Sequence, residues 1–460
     1  MTPPWLGPAL DYAERWLSFQ RESTDVPGIA FAAAHDGVLL REFAVGYADL
    51  STRLPLTPRH RFRAASLSKT VTALALMRLV GCGKVGLDDS CGGHVPGLHP
   101  DVARAKLREL LSHSAGLARE GPDASFFAGV RPFPTDAELT QLLLQAPTLA
   151  PGSRCKYSNL GYALLGRVIA EVAALPLNEV LGNVLRAADL RESVIDADTQ
   201  PTPWLASGHS ARQPAGVRFV LPGDGPTASF ASATGLIATV GDLARLYAQV
   251  GDPSGDERLL APALRMAMRA EHARDPSAQP PRSYGLGLWL TSVAGWQVAG
   301  HLGRYQGTTV RAAVLPELGV AVAIASNAAD APVVSWTDGV IKILRTFADR
   351  GEPSEAVADW SGRWWSLYGA IDLVPAGQRV LACDPSIVPP LTEVTEISLD
   401  SVDQGQVVSA PATERLGERV SRKRDSAGMV SQIQIGGARL LSEAAIESVL
   451  RARFNSAATE

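Results

Sequence analysis

The sequence is short of several features that mark other classes of protein. It has four cysteines in 460 residues, too few and too scattered for a disulfide framework. It has no basic run or stripe, and its formal net charge is -4, so nucleic acid is not expected as a partner. Its most apolar helical stretches are either too short for a bilayer or carry charged residues, so a membrane is not expected as a partner either.

Two further absences concern targeting and metals. The first residues, MTPPWLGPALDYAERWL, lack a basic start followed by an apolar segment, so we expect no secretory signal and a cytoplasmic location. Cys91, His94 and His99 lie close together, but no second pair of ligands follows them. We therefore expect no metal and no other cofactor. With 46% hydrophobic and 20% charged residues, the chain has the composition of a globular protein.

The order of strand-like and helix-like segments predicts the fold class. Two strands joined by a turn at Asp36 and Gly37 come first, helices recur in the middle, and strands return before a helix that closes near residue 350. This order is typical of an α+β domain whose antiparallel sheet is built from both ends of the chain around a helical insert. After the polar linker DRGEPSEAVADW, short β-like segments predict a small barrel. We therefore predict domains at residues 1–350 and 351–460.

The stretch RAASLSKTVTALALMRLVG places a serine and a lysine three residues apart. We predict a helix from Ser66 to about Val80, which puts Ser66 and Lys69 on one face. The apolar residues that follow bury this helix and make an unpaired ammonium costly. Such a lysine either finds partners or has a lowered pKa, and a lowered pKa lets it take a proton from Ser66. The alternative is a helix-capping serine and a surface lysine, with Ser68 as a rival hydroxyl that points away from Lys69.

Two more stretches carry candidate residues. Tyr157 and Asn159 stand just before a second apolar helix in KYSNLGYALLG. A tyrosine near an ammonium ionises or passes a proton, and Asn159 offers a donor and an acceptor for a substrate amide. The alternative is a packed aromatic ring followed by a helix cap. In VAGHLGRYQG, His301 alone is a weak signal, and its role as proton carrier or neutral hydrogen-bond partner stays open.

One motif points elsewhere and is discounted. Gly208, His209 and Ser210 begin like the nucleophile elbow of an α/β-hydrolase, but Arg212 stands where the elbow needs glycine and no apolar strand precedes it. The loop PDASFFAGVRPFP is read either as a wall of the cleft or as local packing of its phenylalanines, with equal weight.

Taken in order, the three stretches resemble a known superfamily. Ser66-Leu67-Ser68-Lys69, Tyr157-Ser158-Asn159 and His301-Leu302-Gly303 are similar in order and approximate spacing to the three motifs of penicillin-binding proteins and class C β-lactamases. The connecting stretches LLSHSAGL and SATGLIATVGDLARL are similar as well. The resemblance covers about residues 5 to 350, and it implies the β-lactamase/transpeptidase-like α+β fold.

The resemblance also implies a role for each residue. Ser66 would be the acylated nucleophile, Lys69 its general base and Tyr157 the proton relay to the leaving group. Asn159 would contact the substrate amide, while His301 and Gly303 would lie on a strand that lines the cleft. The backbone N–H groups of Ser66 and Arg304 would form the oxyanion hole. In the same scheme His113 and Gly116 are structural.

The third motif departs from the usual pattern. The β-lactamases and transpeptidases of the superfamily usually have lysine and then threonine or serine there, whereas this chain has His301 and Leu302. We therefore expect weak or absent β-lactamase activity. With histidine at this position, the chain resembles the esterases, D-aminopeptidases and acyl-transfer members of the superfamily.

A subgroup is similar in more respects. The penicillin-binding-protein-type thioesterases of nonribosomal peptide assembly combine the same motifs with a lipocalin-like C-terminal barrel. This resemblance implies release of a peptide from a peptidyl carrier protein by head-to-tail macrolactamisation. The alternative is an esterase or a D-stereospecific peptidase or amidase, which passes the same acyl-enzyme to water.

Overall fold

The fold is given by a computed structural model. It describes residues 2–195, 204–221, 223, 225–252, 257–277 and 282–454. The chain divides into two compact units, one of Thr24–Thr337 and one of Met1–Ser23 with Asp338–Glu460. These units differ from the predicted domains, 1–350 and 351–460, because the first helix and most of the helix before residue 350 are grouped with the C-terminal residues. The domain boundary itself stays a prediction.

Helices follow the first two strands and dominate the middle of the chain, as the sequence predicts. Within the described residues, no single helix is long and apolar enough to cross a membrane, although two consecutive helices, bent by 86° at their junction, pass that test together. The α-helices are α1 (Leu6–Thr24), α2 (Ser68–Gly81), α3 (Pro100–Arg104), α4 (Leu107–Leu111), α5 (Asp136–Leu143), α6 (Asn159–Ala173), α7 (Leu177–Ala187), α8 (Ala231–Thr234), α9 (Val240–Gly251), α10 (Pro262–Arg269), α11 (Val333–Arg350), α12 (Glu355–Ala358) and α13 (Glu443–Phe454).

The unit Thr24–Thr337 is built on an antiparallel sheet of nine strands in the order β3-β2-β1-β14-β13-β12-β11-β10-β9. A smaller sheet has the order β4-β8-β5, and β6 pairs with β7. The strands are β1 (Gly28–His35), β2 (Val38–Asp49), β3 (Leu54–Pro55), β4 (Phe62–Ala65), β5 (Val194–Ile195), β6 (Gly208–His209), β7 (Val220–Leu221), β8 (Leu236–Ala238), β9 (Ala273–Asp275), β10 (Arg282–Tyr284), β11 (Trp289–Val293), β12 (Trp296–Tyr305), β13 (Thr308–Leu315) and β14 (Val320–Ser326).

The large sheet joins the two ends of its unit, which confirms the predicted α+β class. Strand β1 pairs with β14, so that Ala32 lies opposite Ala323. The turn between β1 and β2 has φ of +49° at Asp36 and +78° at Gly37, the left-handed conformation that a two-residue hairpin turn requires. Helix α9 packs against β1, β13 and β14. The β1 and β14 strands are alanine-rich and buried throughout, which lets the helix approach the sheet closely.

The other unit contains a closed antiparallel barrel of eight strands, which confirms the small all-β element predicted at the C-terminus. Its core consists of apolar side chains from the strands together with Trp360, which is 1% exposed. The guanidinium of Arg422 stacks 4.4 Å from the centroid of that ring. The barrel strands are β15 (Gly362–Ser366), β16 (Gly369–Ala376), β17 (Arg379–Cys383), β18 (Thr395–Ser401), β19 (Gln404–Ser409), β20 (Arg419–Arg424), β21 (Val430–Ile435) and β22 (Ala438–Leu441).

Candidate active site

Ser66 lies in the tight turn between β4 and α2. Every residue of the segment 62–77 is buried except Ser66, which is partly exposed. Ala65 has φ of +48°, a left-handed conformation that is strained in a residue other than glycine. The helix begins at Ser68 rather than at the predicted Ser66, and the N–H of Lys69 donates to the Ser66 carbonyl oxygen over 3.1 Å. The turn therefore brings one hydroxyl out of an otherwise buried segment.

The amine of Lys69 is fully buried and has three hydrogen-bond partners. Its Nζ lies 2.6 Å from Asn159 Oδ1, 2.9 Å from the Ala233 carbonyl oxygen and 3.2 Å from Ser66 Oγ. As an ammonium, Nζ donates to all three oxygens; in the neutral form, the first two partners, which are acceptors only, take its two N–H donors. The lone pair of that amine then faces the Ser66 hydroxyl, which is the arrangement a general base needs.

Burial holds the pKa of Lys69 well below its ordinary value, because the charged form would lose its hydration. The Glu120 carboxylate opposes this by raising the pKa, and the Arg119 guanidinium adds to the lowering, but both effects are smaller than that of burial. The sequence predicts either partners or a lowered pKa for this lysine, and the structure shows both. A neutral Lys69 is consistent with its predicted role as a base.

Tyr157 is the third side chain at the serine. Its phenol is close enough to the Ser66 hydroxyl for that group to lower its pKa, and its ring centroid lies 4.9 Å from Lys69 Nζ. Burial raises the pKa of the Tyr157 phenol, while the nearby Ser66 hydroxyl and the charge of Arg119 lower it by less. Tyr157 is therefore a neutral phenol that holds a proton rather than a phenolate. It is suited to giving that proton to a leaving group.

His113 contacts the segment that carries Tyr157 and holds it in place. The His113 ring lies 4.1 Å from the Tyr157 ring, centroid to centroid, and its Nδ1 accepts the backbone N–H of Ser158 over 3.0 Å. The Trp289 ring lies 6.1 Å from the Tyr157 ring, centroid to centroid, with the two ring planes only 5° apart. These contacts agree with the structural role that the resemblance implies for His113.

His301 has both ring nitrogens occupied. Its Nε2 lies 2.9 Å from the Tyr284 hydroxyl, and its Nδ1 lies 2.9 Å from the Leu302 carbonyl oxygen. A carbonyl only accepts, so Nδ1 carries the proton and Tyr284 donates to Nε2. Burial lowers the pKa of His301 to about 3, with a smaller contribution from the Lys69 amine in its charged form. Of the two roles left open by the sequence, this geometry fits the neutral hydrogen-bond partner; direct participation in catalysis stays a prediction.

Replacing His301 with glutamine tests that assignment. Glutamine keeps an acceptor for the Tyr284 hydroxyl, and a group with a pKa of about 3 carries no charge near neutrality. We expect His301→Gln to lower kcat by less than about tenfold and to leave the acidic midpoint of the kcat/KM profile unchanged. A loss of 100-fold or more, together with a displaced midpoint, would show that His301 moves a proton. The measurement is a pH–rate profile of both proteins.

Strand β12 offers an open edge beside the serine. Its partner β11 pairs with it only as far as Gly300, so residues 301–305 have a strand neighbour on the β13 side alone within the described chain. A Cβ added to Gly303 would meet the carbonyl oxygen of Ala64 at 2.0 Å, which brings β12 directly against the chain before Ser66. Arg304 is exposed and makes no side-chain hydrogen bond or ion pair with the described residues. Its share in an oxyanion hole stays a prediction.

Gly303→Ala is expected to separate β12 from β4. The added methyl cannot fit 2.0 Å from a carbonyl oxygen, so the backbone must move. A shift of about 1 Å between nucleophile and binding strand costs on the order of 100-fold in kcat. Steady-state kinetics and thermal unfolding check this. The matched control is Gly437→Ala, where an added Cβ meets nothing within 4 Å and both measurements are expected to stay at the wild-type values.

The sequence did not single out Glu120. This side chain accepts a hydrogen bond from Asn159 Nδ2 at 2.8 Å and from Arg119 Nε at 2.7 Å, both at Oε1. Because a carboxylate only accepts, it fixes the orientation of the Asn159 amide, whose oxygen then faces Lys69. Each end of that amide thus has one protein partner, and contact with a substrate amide stays a prediction for Asn159. The one signal in the sequence that could have pointed to an acidic residue such as Glu120 is the predicted burial of Lys69, because a buried ammonium needs a negatively charged partner.

His209 and Cys91, which the sequence analysis discounted as catalytic or metal-binding residues, form hydrogen bonds with the backbone. His209 donates from Nδ1 to the Asn327 carbonyl oxygen over 2.9 Å, and its Nε2 accepts the backbone N–H of Leu50 over 3.3 Å. The thiol of Cys91 donates to the carbonyl oxygen of Val102 over 2.8 Å. In the described parts of the chain, no group of three or more histidine, cysteine or acidic residues is arranged to hold a metal ion.

The phenylalanine-rich loop packs onto the far end of β12. Phe126 and Phe133 are buried, and Phe127 and Phe133 lie 6.1 and 5.5 Å from the ring of Tyr305, centroid to centroid. Phe230 joins the same cluster at 5.4 Å from Phe126. The phenylalanines thus pack locally, as one of the two alternatives for this loop predicts. The same packing holds the loop against β12, the strand that carries His301.

The chain is similar to several known proteins. Residues 13–341 match the family model described as Beta-lactamase. A D-aminopeptidase of Brucella anthropi is 27% identical over 290 residues, which cover 61% of this chain and 52% of that protein. Esterase EstB of Burkholderia gladioli is 31% identical over 172 residues, 34% of this chain and 43% of the esterase. The chain thus spans about half the length of these curated relatives.

The fold extends the likeness to nearly the whole chain. The octameric penicillin-binding protein homologue of Pyrococcus abyssi superposes with a TM-score of 0.65 at 21% identity, covering 94% of this chain and 100% of the homologue. At that identity the likeness concerns the fold alone. The family match covers most of the chain and includes all three motifs. The chain therefore belongs to the Beta-lactamase family.

Proposed function

We propose that this protein is a serine hydrolase that forms an acyl-enzyme at Ser66 and transfers the acyl group to water, with esters and amides of D-amino acids as its substrate class. The observation that carries the proposal is the position of Lys69: its buried Nζ lies 3.2 Å from Ser66 Oγ, and two acceptors are in place for its N–H groups when the amine is neutral and its lone pair faces the serine. The names of two relatives, a D-aminopeptidase and an esterase, support the substrate class.

Acylation follows from the arrangement of the three side chains. Ser66 Oγ attacks the substrate carbonyl carbon while Lys69 Nζ takes the hydroxyl proton. The bond to the leaving alcohol or amine then breaks, and the leaving group receives a proton from the Tyr157 hydroxyl, which regains one from Lys69. The ester on Ser66 is formed and the leaving group departs neutral. The backbone N–H groups of Ser66 and Arg304 are the proposed donors to the oxyanion.

Deacylation repeats these steps with water as the nucleophile. Water attacks the ester carbonyl and gives its proton to the same relay of Tyr157 and Lys69, and the Ser66 oxygen leaves as a hydroxyl. The product is a free carboxylic acid. Since the third motif lacks both a fixed cation and a hydroxyl, β-lactams remain poor expected substrates.

The peptide cyclase implied by the resemblance stays a prediction. It would use the same acyl-enzyme, formed from a thioester on a peptidyl carrier protein, and differ only in the acceptor, which would be the amine of the peptide itself. The hydrolase is the better supported of the two, because the relatives named above are a peptidase and an esterase.

One experiment tests the proposal and separates these products. The protein is incubated with D- and L-amino acid amides and esters and with a linear peptidyl thioester, and products are identified by mass. Gain of water gives the acid and indicates hydrolysis, whereas loss of the thiol alone gives the cyclic peptide. Intact-protein mass with peptide mapping locates the acyl group. Absence of an acyl group on Ser66 with every substrate would refute the proposal.

A further inference from the structure

Tyr284 is a fully buried tyrosine that the proposed reaction does not use directly. It is the last residue of β10 and is 0% exposed. Its ring lies 4.6 Å from the His113 ring and 4.7 Å from the Trp289 ring, centroid to centroid, both in edge-to-face arrangements. Its hydroxyl lies 2.9 Å from His301 Nε2. One side chain therefore contacts three rings that come from three different segments of the chain.

The same three rings are neighbours of the Tyr157 ring. The centroid of the Tyr157 ring lies 4.1 Å from that of His113, 6.1 Å from that of Trp289 and 6.3 Å from that of His301. Tyr284 and Tyr157 thus share three ring neighbours. Because packed side chains leave little room for independent movement, a displacement of Tyr284 would be passed on to Tyr157 through these contacts.

The hairpin that carries Tyr284 is anchored to the helix of Lys69. Tyr284 is paired with Trp289 across β10 and β11, and Gly287 in the turn between them has φ of +79°. The Thr70 hydroxyl donates to the Gly287 carbonyl oxygen over 2.8 Å, and a Cβ added to Gly287 would meet the Lys69 carbonyl oxygen at 2.9 Å. The position of Tyr284 is therefore tied to that of the proposed base.

The Tyr284 hydroxyl also fixes the orientation of the His301 ring. Burial raises the pKa of the Tyr284 phenol, so the hydroxyl keeps its proton and donates a hydrogen bond to Nε2. The Leu302 carbonyl oxygen accepts a hydrogen bond from Nδ1 over 2.9 Å. The ring is thus held at both nitrogens. Without the Tyr284 hydroxyl, Nε2 would be a buried acceptor that has lost its donor.

We propose that Tyr284 is a positioning residue for proton transfer, which holds the Tyr157 phenol in the geometry from which the leaving group takes its proton. The bond to the leaving oxygen or nitrogen breaks as that atom receives the Tyr157 proton, and Tyr157 recovers a proton from Lys69. Loss of the Tyr284 hydroxyl then slows each substrate according to its need for that proton. This inference rests on the proposed acyl transfer to Ser66 and adds a residue to its mechanism.

Three substrates with the same acyl group test it. A nitrophenyl ester, an ethyl ester and an amide differ only in the leaving group, so acyl recognition and deacylation are common to all three. Nitrophenolate departs without a proton, whereas the ethyl oxygen and the amide nitrogen need one. Tyr284→Phe is expected to lower kcat/KM by roughly 10- to 100-fold for the ethyl ester and the amide, part of what a well-placed general acid contributes, and by less than about threefold for the nitrophenyl ester.

Two controls remove the effects of folding and of a lost buried hydroxyl. The nitrophenyl ester reports the amount of active enzyme, so a loss of folded protein cancels in the ratio of kcat/KM values. Tyr247→Phe is the matched control, because it removes another buried tyrosine hydroxyl, which lies 2.9 Å from Thr70 Oγ1. Its ratio is expected to stay at the wild-type value.

A double-mutant cycle tests whether Tyr284 acts through Tyr157. In Tyr157→Phe the relay proton is already gone, so the further change Tyr284→Phe is expected to leave the ratio between the substrates as it is in that variant. Independent action of the two residues would instead give effects that add.

The possible failures are distinct. The inference is wrong if Tyr284→Phe slows all three substrates equally, if it slows none of them, or if its effect on the ratio persists in the Tyr157→Phe background; in each case the hydrolase proposal stands. If no ester or amide acylates Ser66 in the wild type, the proposed function itself is wrong.

Discussion

Ser66→Ala is expected to abolish the acyl-enzyme and to lower kcat by 1,000-fold or more, as loss of the nucleophile does in other serine hydrolases. The hydroxyl is the group that bonds to the acyl carbon, and alanine offers no nucleophile in its place. The fold is expected to survive, because Ser66 is the partly exposed residue of its segment. Intact-protein mass after incubation with substrate and thermal unfolding measure the two effects.

Ser68→Ala is the matched control for that experiment. Ser68 donates to the Ala65 carbonyl oxygen over 2.6 Å and accepts the Leu236 backbone N–H over 2.8 Å. Its loss is expected to cost stability, about 1 to 3 kcal/mol for the buried partners left unpaired, while acylation continues. An acyl group that still forms in Ser66→Ala, or one mapped to Ser68, would contradict the assignment of the nucleophile.

Lys69→Met is expected to lower kcat/KM by roughly 100- to 10,000-fold, the usual range for loss of a general base. Methionine has a similar length, so the cavity stays filled, but the Ser66 proton loses its acceptor. The control is Lys156→Met. Lys156 stands next to Tyr157 in the chain, yet its Nζ donates to the Leu117 carbonyl oxygen over 3.0 Å rather than to the serine. Equal losses in the two variants would show that Lys69 is not the base.

The pH dependence gives a second measure of Lys69. Because burial lowers its pKa, the amine is neutral over a wide range, and activity is expected to fall only as the pH drops through that lowered pKa and the amine gains a proton. The Glu120 carboxylate raises the same pKa, so Glu120→Gln should move the acidic midpoint of kcat/KM to lower pH. A midpoint that moves to higher pH in this variant would contradict that account.

The sequence predicted the parts of the site that depend on local spacing. Ser66 and Lys69 are three residues apart, and Tyr157 stands just before a helix, so short motifs were enough to select side chains that the structure brings together. The start of α2 was placed two residues too early, because the left-handed backbone at Ala65 leaves no trace in its side chain. The antiparallel sheet was predicted from the alternation of segments, which fixes its class but not its strand order.

Contacts between distant segments were beyond sequence reasoning. Tyr284 comes from β10 and meets His301 on β12, and this pairing decides which nitrogen of His301 carries the proton. Glu120 comes from a loop 39 residues before Asn159. No spacing rule relates these residues, because their distance is set by the packing of whole elements. Whether a side chain is neutral or charged depends on such packing. The charge state of these residues could therefore not be predicted from the sequence.

The burial of the segment around Ser66 has a consequence for mutational scanning. In a library that scores cellular abundance and catalysis separately, most substitutions at residues 62–77 should lower both scores together, since their side chains form the interior. Ser66 should stand apart as a position where abundance persists and catalysis disappears. A pooled variant screen would thus identify the nucleophile. It needs only one substrate that the enzyme turns over, and the natural substrate does not have to be identified.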